Sequence, residues 1–313
     1  MHSQTNNLGI VDNRYILLEE LGSGYSSTVY KVRDTTDNKE YALKLLNHYD
    51  EKIENEIKIN KIIKDSETNL FTKYITSSVG YYVKGESKEL HHYIILELAS
   101  KGTVFDYIKK DDEGLEEKLC KLFFAKILLI IQTLHQMGIC HRDLKLENFL
   151  FDENFNIKLS DFGFSSLIIK NKKGKKKKQT DFLGTPYYVA PEIIKHIPYD
   201  GEKADIFCLG VILFNIRTCK YGFEEASKNN GLYNLIIKNT KLYWEVLGQN
   251  IEIDGLSKEF KDLFIKMVSF DPNQRPTIAE IYNDEWMKEI RDLNHQELMD
   301  LEQELIKELK RRE

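Results

Sequence analysis

The sequence predicts an α+β protein in two unequal parts, a small β-rich part with one main helix and a larger, mainly helical part. Three observations carry this expectation. The chain has 313 residues, more than the roughly 150 typical of one domain. From Tyr15 to about Leu98 it reads mainly as strands, and beyond Gly102 mainly as helices. It is 42% hydrophobic and 11% aromatic with a net charge of −5, enough apolar surface for a large core, which excludes global disorder. The balance of 45 basic against 50 acidic residues gives a general nucleic-acid binder no support. Five prolines and 17 glycines exclude collagen-like and linker-dominated chains.

In chain order, residues 1–14 are polar and read as a flexible N-terminus, with neither the basic stretch nor the apolar run of a signal peptide. His2 after Met1 removes a myristoylation motif. Val29, Tyr30 and Val32 form a strand pattern, Asp34–Asn38 a turn, and Tyr41–Leu45 the returning strand. A helix follows, capped by Asp50, with Ile53, Ile57, Ile59 and Ile63 on its apolar face. Tyr93 to Leu96 is a short apolar strand, and Glu116 to His135 a long amphipathic helix. The apolar stretches Phe123–Ile131 and Phe207–Ile216 fall short of the roughly 20 residues a membrane span needs and read as buried core helices, so no membrane segment is expected. Cys120, Cys140, Cys208 and Cys219 lack C-x-x-C spacing and read as reduced structural thiols of a cytoplasmic protein. Residues 291–313 read as a charged C-terminal helix. Asn294 and Glu297 form a capping box ahead of a Leu298, Leu301, Leu305, Leu309 stripe, and the helix is expected to reach Arg311. That stripe suits docking on the helical part, a partner helix or self-association.

The chemistry-bearing residues begin with Leu21-Gly22-Ser23-Gly24, a glycine turn between strands that lets backbone fold closely over phosphates. Strand residues follow it, not a helix, which disfavours a dinucleotide-binding motif. Lys44 closes the apolar run Tyr41-Ala42-Leu43, where it is either solvated or reaches an anion. The specific signal is His141-Arg142-Asp143-Leu144-Lys145-Leu146-Glu147-Asn148. Asp161-Phe162-Gly163 stands 18 residues after Asp143, and Gly184-Thr185-Pro186 leads into Ala190-Pro191-Glu192.

In this order and spacing the chain resembles the eukaryotic protein kinase family from about Tyr15 to Ile290. The resemblance implies a bilobal kinase domain over 15–290, with an N-lobe of about 15–98 and a C-lobe of about 99–290. It implies transfer of the ATP γ-phosphate to protein hydroxyls with Mg2+ as cofactor, a reaction that depends on positioning and charge neutralisation. It assigns Lys44 to the α/β-phosphates, paired with Glu56, or failing that Glu51 or Glu54. Asp143 orients the hydroxyl and accepts its proton, and Lys145 neutralises the γ-phosphate. Asp161 and Asn148 hold magnesium through hard oxygen donors. Gly22, Ser23 and Gly24 cover the phosphates. Leu21, Val29 and Ala42 roof the adenine, Leu150 floors it, backbone groups of Glu97 and Ala99 pair with it, and Leu96 is the gatekeeper. Asp205 resembles the aspartate that anchors the catalytic loop, and Glu192 with Arg275 the family's buried ion pair. Lys145 and Thr185 point to the serine/threonine type, most like the calmodulin-dependent and calcium-dependent group, although no EF-hand motif occurs in the chain.

The chain departs from the family pattern at several points. Ser27 replaces the third glycine, and only 12 residues separate Lys44 from Glu56. Asn60 stands where an apolar residue is usual, which leaves open either the helix register or the rigidity of the active state. Thr103 replaces a glutamate common in kinases that read basic substrates, leaving Glu147 to read a substrate arginine. A binding module that keeps the fold without transfer is the alternative reading; the presence of Lys44, Asp143, Asn148 and Asp161 favours transfer. In the activation loop, Asp181 occupies the usual phosphothreonine position beside Thr180, and its weaker, permanent charge is expected to serve Arg142 in place of a phosphate; the alternative is a phosphorylated Thr180 with Asp181 incidental. Seven lysines between Lys170 and Lys178 read as a solvated insertion, with a nuclear address or acidic docking as alternatives.

Overall fold

The computed structural model describes residues 8–24, 26–66, 68–249, 251–253 and 255–313. Strands β1 (Ile10–Val11), β2 (Tyr15–Ser23), β3 (Ser27–Asp34) and β4 (Glu40–Leu46) precede helix α1 (Glu51–Asp65), and β5 (Tyr74–Lys84) and β6 (Ser87–Glu97) follow it. Then come α2 (Val104–Lys109), α3 (Glu117–Gln136), β7 (Ile139–Cys140), β8 (Phe149–Phe151), β9 (Ile157–Leu159) and β10 (Ser166–Leu167). The remainder is helical: α4 (Pro191–Ile194), α5 (Gly201–Thr218), α6 (Gly231–Lys238), α7 (Thr240–Leu247), α8 (Lys258–Met267), α9 (Ile278–Tyr282), α10 (Lys288–Arg291) and α11 (His295–Arg311).

The chain divides into two compact units. The first runs to Lys101 and takes in Phe151–Gly163; the second comprises Gly102–Leu150 and Phe164–Glu313. The expected boundary at residues 98–99 therefore moves to 101–102, and a later segment rejoins the first unit. Backbone pairing explains the return. Leu159 N–H donates to Leu70 O and Thr72 N–H to Leu159 O, both at 3.0 Å, and Lys158 pairs with Glu97 at 2.8 Å.

In the first unit six strands close a barrel in the order β1-β2-β3-β4-β6-β5. The flexible N-terminus expected over 1–14 is corrected here. Ile10 and Val11 pair antiparallel with both β2 and β5, and Val11 is fully buried; residues 1–7 lie outside the described residues. Asp12 and Asn13 make the turn with positive φ, a conformation short polar side chains tolerate. Arg14 grips Asp34 at 2.7 Å across the β2–β3 ladder, and its hydrogen bond holds the Asp34 carboxyl down at about 2. Asp50 caps α1 as expected, accepting from the N–H groups of Lys52 and Ile53. The buried face of α1 holds Ile53, Glu56, Ile59, Asn60 and Ile63, while Ile57 is only partly buried. Glu56 and Asn60, four apart, thus share the inward face.

The second unit is built around α3 and α5. α3 is long and apolar enough to cross a bilayer, yet Phe123, Phe124, Ile127, Leu128 and Ile131 are buried within this unit. α11 packs on α3. The Asn294–Glu297 capping box forms, and Leu301, Leu305 and Leu309 are buried. Lys126 pairs with Glu302. Arg312, also buried, donates to Glu113 O at 2.8 Å and to Gly114 O at 3.4 Å. Leu301, Leu305 and Leu309 of the stripe are thus covered inside this unit and Leu298 is half-buried, the intramolecular docking that is one of the three expectations for it.

Candidate active site

The first unit places one cluster of charges. β4 pairs with β3 and β6 in a register that sets Lys44 opposite Val29 and Ile94. The four residues between β4 and α1 are enough to bring Glu56 back over the strand, so the short spacing is accommodated. Lys44 Nζ lies 2.7 Å from Glu56 Oε1 and 3.0 Å from Asp161 Oδ1, so Glu56 is the partner, not Glu51 or Glu54. Burial works against the ammonium, but Asp161 and Glu56 outweigh it and hold the Lys44 pKa above its usual value. Asp161 sits at φ 58°, an uncommon conformation for a residue with a side chain. Phe162 beside it is buried and packs edge-to-face on Phe71. Asn60, buried, donates to Glu56 O at 3.0 Å. This settles the helix register: an amide tied to its own helix stands at the position where an apolar side chain is usual.

The β2–β3 turn bears on the nucleotide. An added Cβ would meet nothing within 4 Å at Gly22, and at Gly24 only Ser27 O at 3.8 Å. The polypeptide itself does not require glycine there, which fits room kept for phosphates. Gly24 N–H donates to Ser27 O, so Ser27 closes the turn; Tyr25 lies outside the described residues. Leu21 is exposed, Val29 half-buried and Ala42 buried. Glu97 N–H donates to Lys73 O at 2.8 Å, which narrows the base-pairing role expected of Glu97 to its carbonyl. Leu96 and Ala99 are half-buried. Leu150 belongs to the second unit, in a bridge with Thr103.

In the second unit, the catalytic-loop sequence leaves β7 and is anchored by Asp205 of α5. This fully buried carboxylate accepts from His141 N–H at 2.9 Å, Arg142 N–H at 2.8 Å and His135 Nε2 at 2.8 Å. Asp143 stands in a ring of three side chains. Thr185 Oγ1 donates to Asp143 Oδ1 at 2.7 Å, Lys145 Nζ lies 3.0 Å from Asp143 Oδ2, and Lys145 donates to Thr185 Oγ1 at 2.9 Å. Asn148 Nδ2 donates to Asp143 O at 2.8 Å, which fixes its amide and turns the oxygen to the other side. Glu192 and Arg275 form a buried two-pronged pair at 2.7 and 2.6 Å. Arg142 Nε donates to Phe164 O at 2.6 Å, and its Nη1 reaches Gln179 Oε1 and Asp181 Oδ2, both at 3.3 Å. Thr180 is exposed.

The structure thus brings Lys44, Glu56 and Asp161 together in one unit and Asp143, Lys145, Asn148 and Thr185 together in the other. Sequence reasoning missed His135 as the third donor to Asp205 and Gln179 as the acceptor that shares Arg142 Nη1 with Asp181. His135 lay six residues before His141, but only the fold turns it toward Asp205. Among the described residues no three His, Cys, Asp or Glu side chains cluster to hold a metal. Asp161 and Asn148 nevertheless offer hard oxygens, and magnesium commonly takes only one or two protein ligands besides phosphate and water.

The sequence profile of the protein kinase domain matches residues 15–287. The chain belongs to the protein kinase family. It is 32% identical over 298 residues to CBL-interacting protein kinase 11 of Oryza sativa subsp. japonica, covering 91% of this chain and 53% of that protein. It is 40% identical over 197 residues to the SNF-related serine/threonine-protein kinase of Homo sapiens, covering 63% and 24%. It is 33% identical over 286 residues to the probable serine/threonine-protein kinase MARK-B of Dictyostelium discoideum, covering 89% and 37%. The chain spans about half the length of these curated relatives, or less. A β-rich smaller unit and a helical larger one are the kinase domain's own arrangement.

Proposed function

We propose that this kinase domain transfers the γ-phosphate of ATP to serine and threonine hydroxyls of proteins. The observation that carries the reading is the ring of Asp143, Thr185 and Lys145, a carboxylate held by one hydroxyl and one ammonium. In the first unit Lys44, kept charged and fixed by Glu56, holds the α/β-phosphates, and the glycine turn covers them. In the second, Asp143 orients the substrate hydroxyl, whose oxygen bonds to the γ-phosphorus as the bond to the bridging oxygen of ADP breaks; Asp143 takes the proton. Lys145 offsets charge on the transferring group, and Asp161 and Asn148 supply metal ligands. Magnesium, when bound, neutralises the phosphate oxygens.

Glu147 supports a preference for a basic residue near the phosphoacceptor: its Oε2 is buried without a hydrogen-bond partner among the described residues, an arrangement that favours an incoming cation. A cytoplasmic location belongs to the same reading and is supported by four buried, unpaired cysteines. The test is a Ser, Thr and Tyr peptide array with Mg-ATP. The reading expects label on Ser and Thr peptides, more where an arginine is near, and fails if label is absent or confined to tyrosine.

A further inference from the structure

The lysine run is not a formless insertion. Residues 169–177 form a hairpin whose backbone is fixed from tip to base. Gly174 N–H donates to Asn171 O at 2.8 Å, Asn171 N–H to Lys175 O at 2.9 Å, and Lys177 N–H to Ile169 O at 2.7 Å. The Asn171 side chain accepts from the N–H groups of Lys173 and Lys175 at 2.9 and 3.0 Å, and Gly174 supplies the positive φ the tip needs. The base is tied to the second unit on both sides. Ile168 N–H donates to Gly138 O, β10 pairs with β7, and Gln179 pairs with Tyr199. Among the described residues only Lys176 of the seven lysines has an acidic partner, Glu202. Six ammonium groups, five on the ordered hairpin and that of Lys178 just after it, therefore stand without an acidic partner.

We infer that this hairpin is a docking element for an acidic segment of the protein substrate, an inference that rests on the kinase reading above. Charge distribution selects a short acidic segment over an extended anionic surface. Seven of the 45 basic residues lie between Lys170 and Lys178, so the other 38 stand against 50 acidic residues. The rest of the chain therefore carries a net negative charge, which disfavours a long nucleic acid or an anionic bilayer, while a few adjacent carboxylates need only the lysines. Lys178 is seven residues before Thr185, at most about 25 Å of extended chain. An acidic stretch several residues from the phosphoacceptor thus reaches the lysines while the acceptor is at Asp143. Exposed ion pairs are individually worth little, and five of them acting together give about tenfold in affinity at low salt.

The test uses the full chain and a variant with Lys172, Lys173, Lys175, Lys177 and Lys178 each changed to Gln, which leaves the Lys176–Glu202 pair and every residue assigned to the active site. Two probes serve: a Ser/Thr peptide with or without six appended glutamates, and the fluorescein-labelled hexaglutamate peptide alone. The inference expects the glutamates to lower KM about tenfold at 50 mM salt, an advantage lost at 300 mM salt and in the variant, with kcat for the plain peptide unchanged. It expects the labelled peptide to bind the wild type and not the variant, a readout that needs no catalysis and stands apart from failure of the kinase reading. Equal binding of the labelled peptide by both proteins overturns the inference. So does tighter binding of single-stranded DNA or phosphatidylserine vesicles than of the acidic peptide.

Discussion

Asp181 is the residue at which sequence and structure give different magnitudes for one effect. The sequence suggests a permanent negative charge, weaker than a phosphate's, that keeps the kinase active without phosphorylation and whose loss lowers activity strongly. The structure does put Asp181 on Arg142, but at 3.3 Å, with the Asp181 side chain 62% exposed. Gln179 shares the same nitrogen, and Arg142 already donates to Phe164 O at 2.6 Å. A single charge so exposed is worth about 0.2–1 kcal/mol, so Asp181→Asn should lower kcat/KM by up to about fivefold, far less than a phosphate-dependent switch would show. The assay is peptide phosphorylation by protein shown by mass spectrometry to be unphosphorylated. Thr180→Ala should change the rate less than Asp181→Asn, and 0.5 M salt should shrink the Asp181 effect. Loss of activity in Thr180→Ala with Asp181→Asn unaffected, or activity that appears only after Thr180 is phosphorylated, would refute the reasoning.

Other consequences can be checked on the same protein. Lys44→Met strands the buried Glu56 carboxylate and should cost about 3 kcal/mol of stability in urea unfolding; adding Glu56→Leu should restore much of that stability and none of the activity. Asp34 is held down at about 2 by Arg14, so its contribution is complete above the unfolded value near 4 and is lost as pH falls from 4 toward 2. Because Arg14 is half-exposed, that contribution is about 1–2 kcal/mol after screening, and the gap between wild type and Asp34→Asn should narrow as pH falls from 5 to 3. Deleting residues 294–313 uncovers the surface beneath Leu301, Leu305 and Leu309 and should lower the melting temperature by several degrees with no gain in kcat; a gain in kcat would mark the tail as autoinhibitory.

Much of the site was legible because its residue types are dictated by chemistry and stand close in sequence. Asp143, Lys145 and Asn148 share one loop, and Asp50 announces the helix that carries Glu56. The barrel closure was not legible. It depends on Ile10 and Val11, two residues too few to show a strand period, which find partners in β2 and in the distant β5. The return of Phe151–Gly163 to the first unit was equally hidden, because three-residue β9 is fixed by pairing with Leu70 and Thr72, far away in the chain. Asn60 left the register open for a related reason. A polar residue on a helix implies an outward face, yet sharing the face of Glu56 buries it, and its amide is satisfied by a carbonyl of its own helix. The lysine run showed its composition but not its order, which comes from the Asn171 side chain and the tip geometry at Gly174.

The central claim is that Asp143 performs phosphoryl transfer while nucleotide binding rests on other groups. The most direct measurement compares wild type and Asp143→Asn for two quantities on the same preparation, the rate of phosphate transfer from Mg-ATP to a serine peptide and the affinity for ATP by calorimetry. The account predicts a rate at least about a hundredfold lower, the scale of a lost general base, with ATP affinity within a factor of about three, since ordinary loss of a binding contact would cost more. Near wild-type transfer by Asp143→Asn, or loss of ATP binding in step with activity, would contradict it.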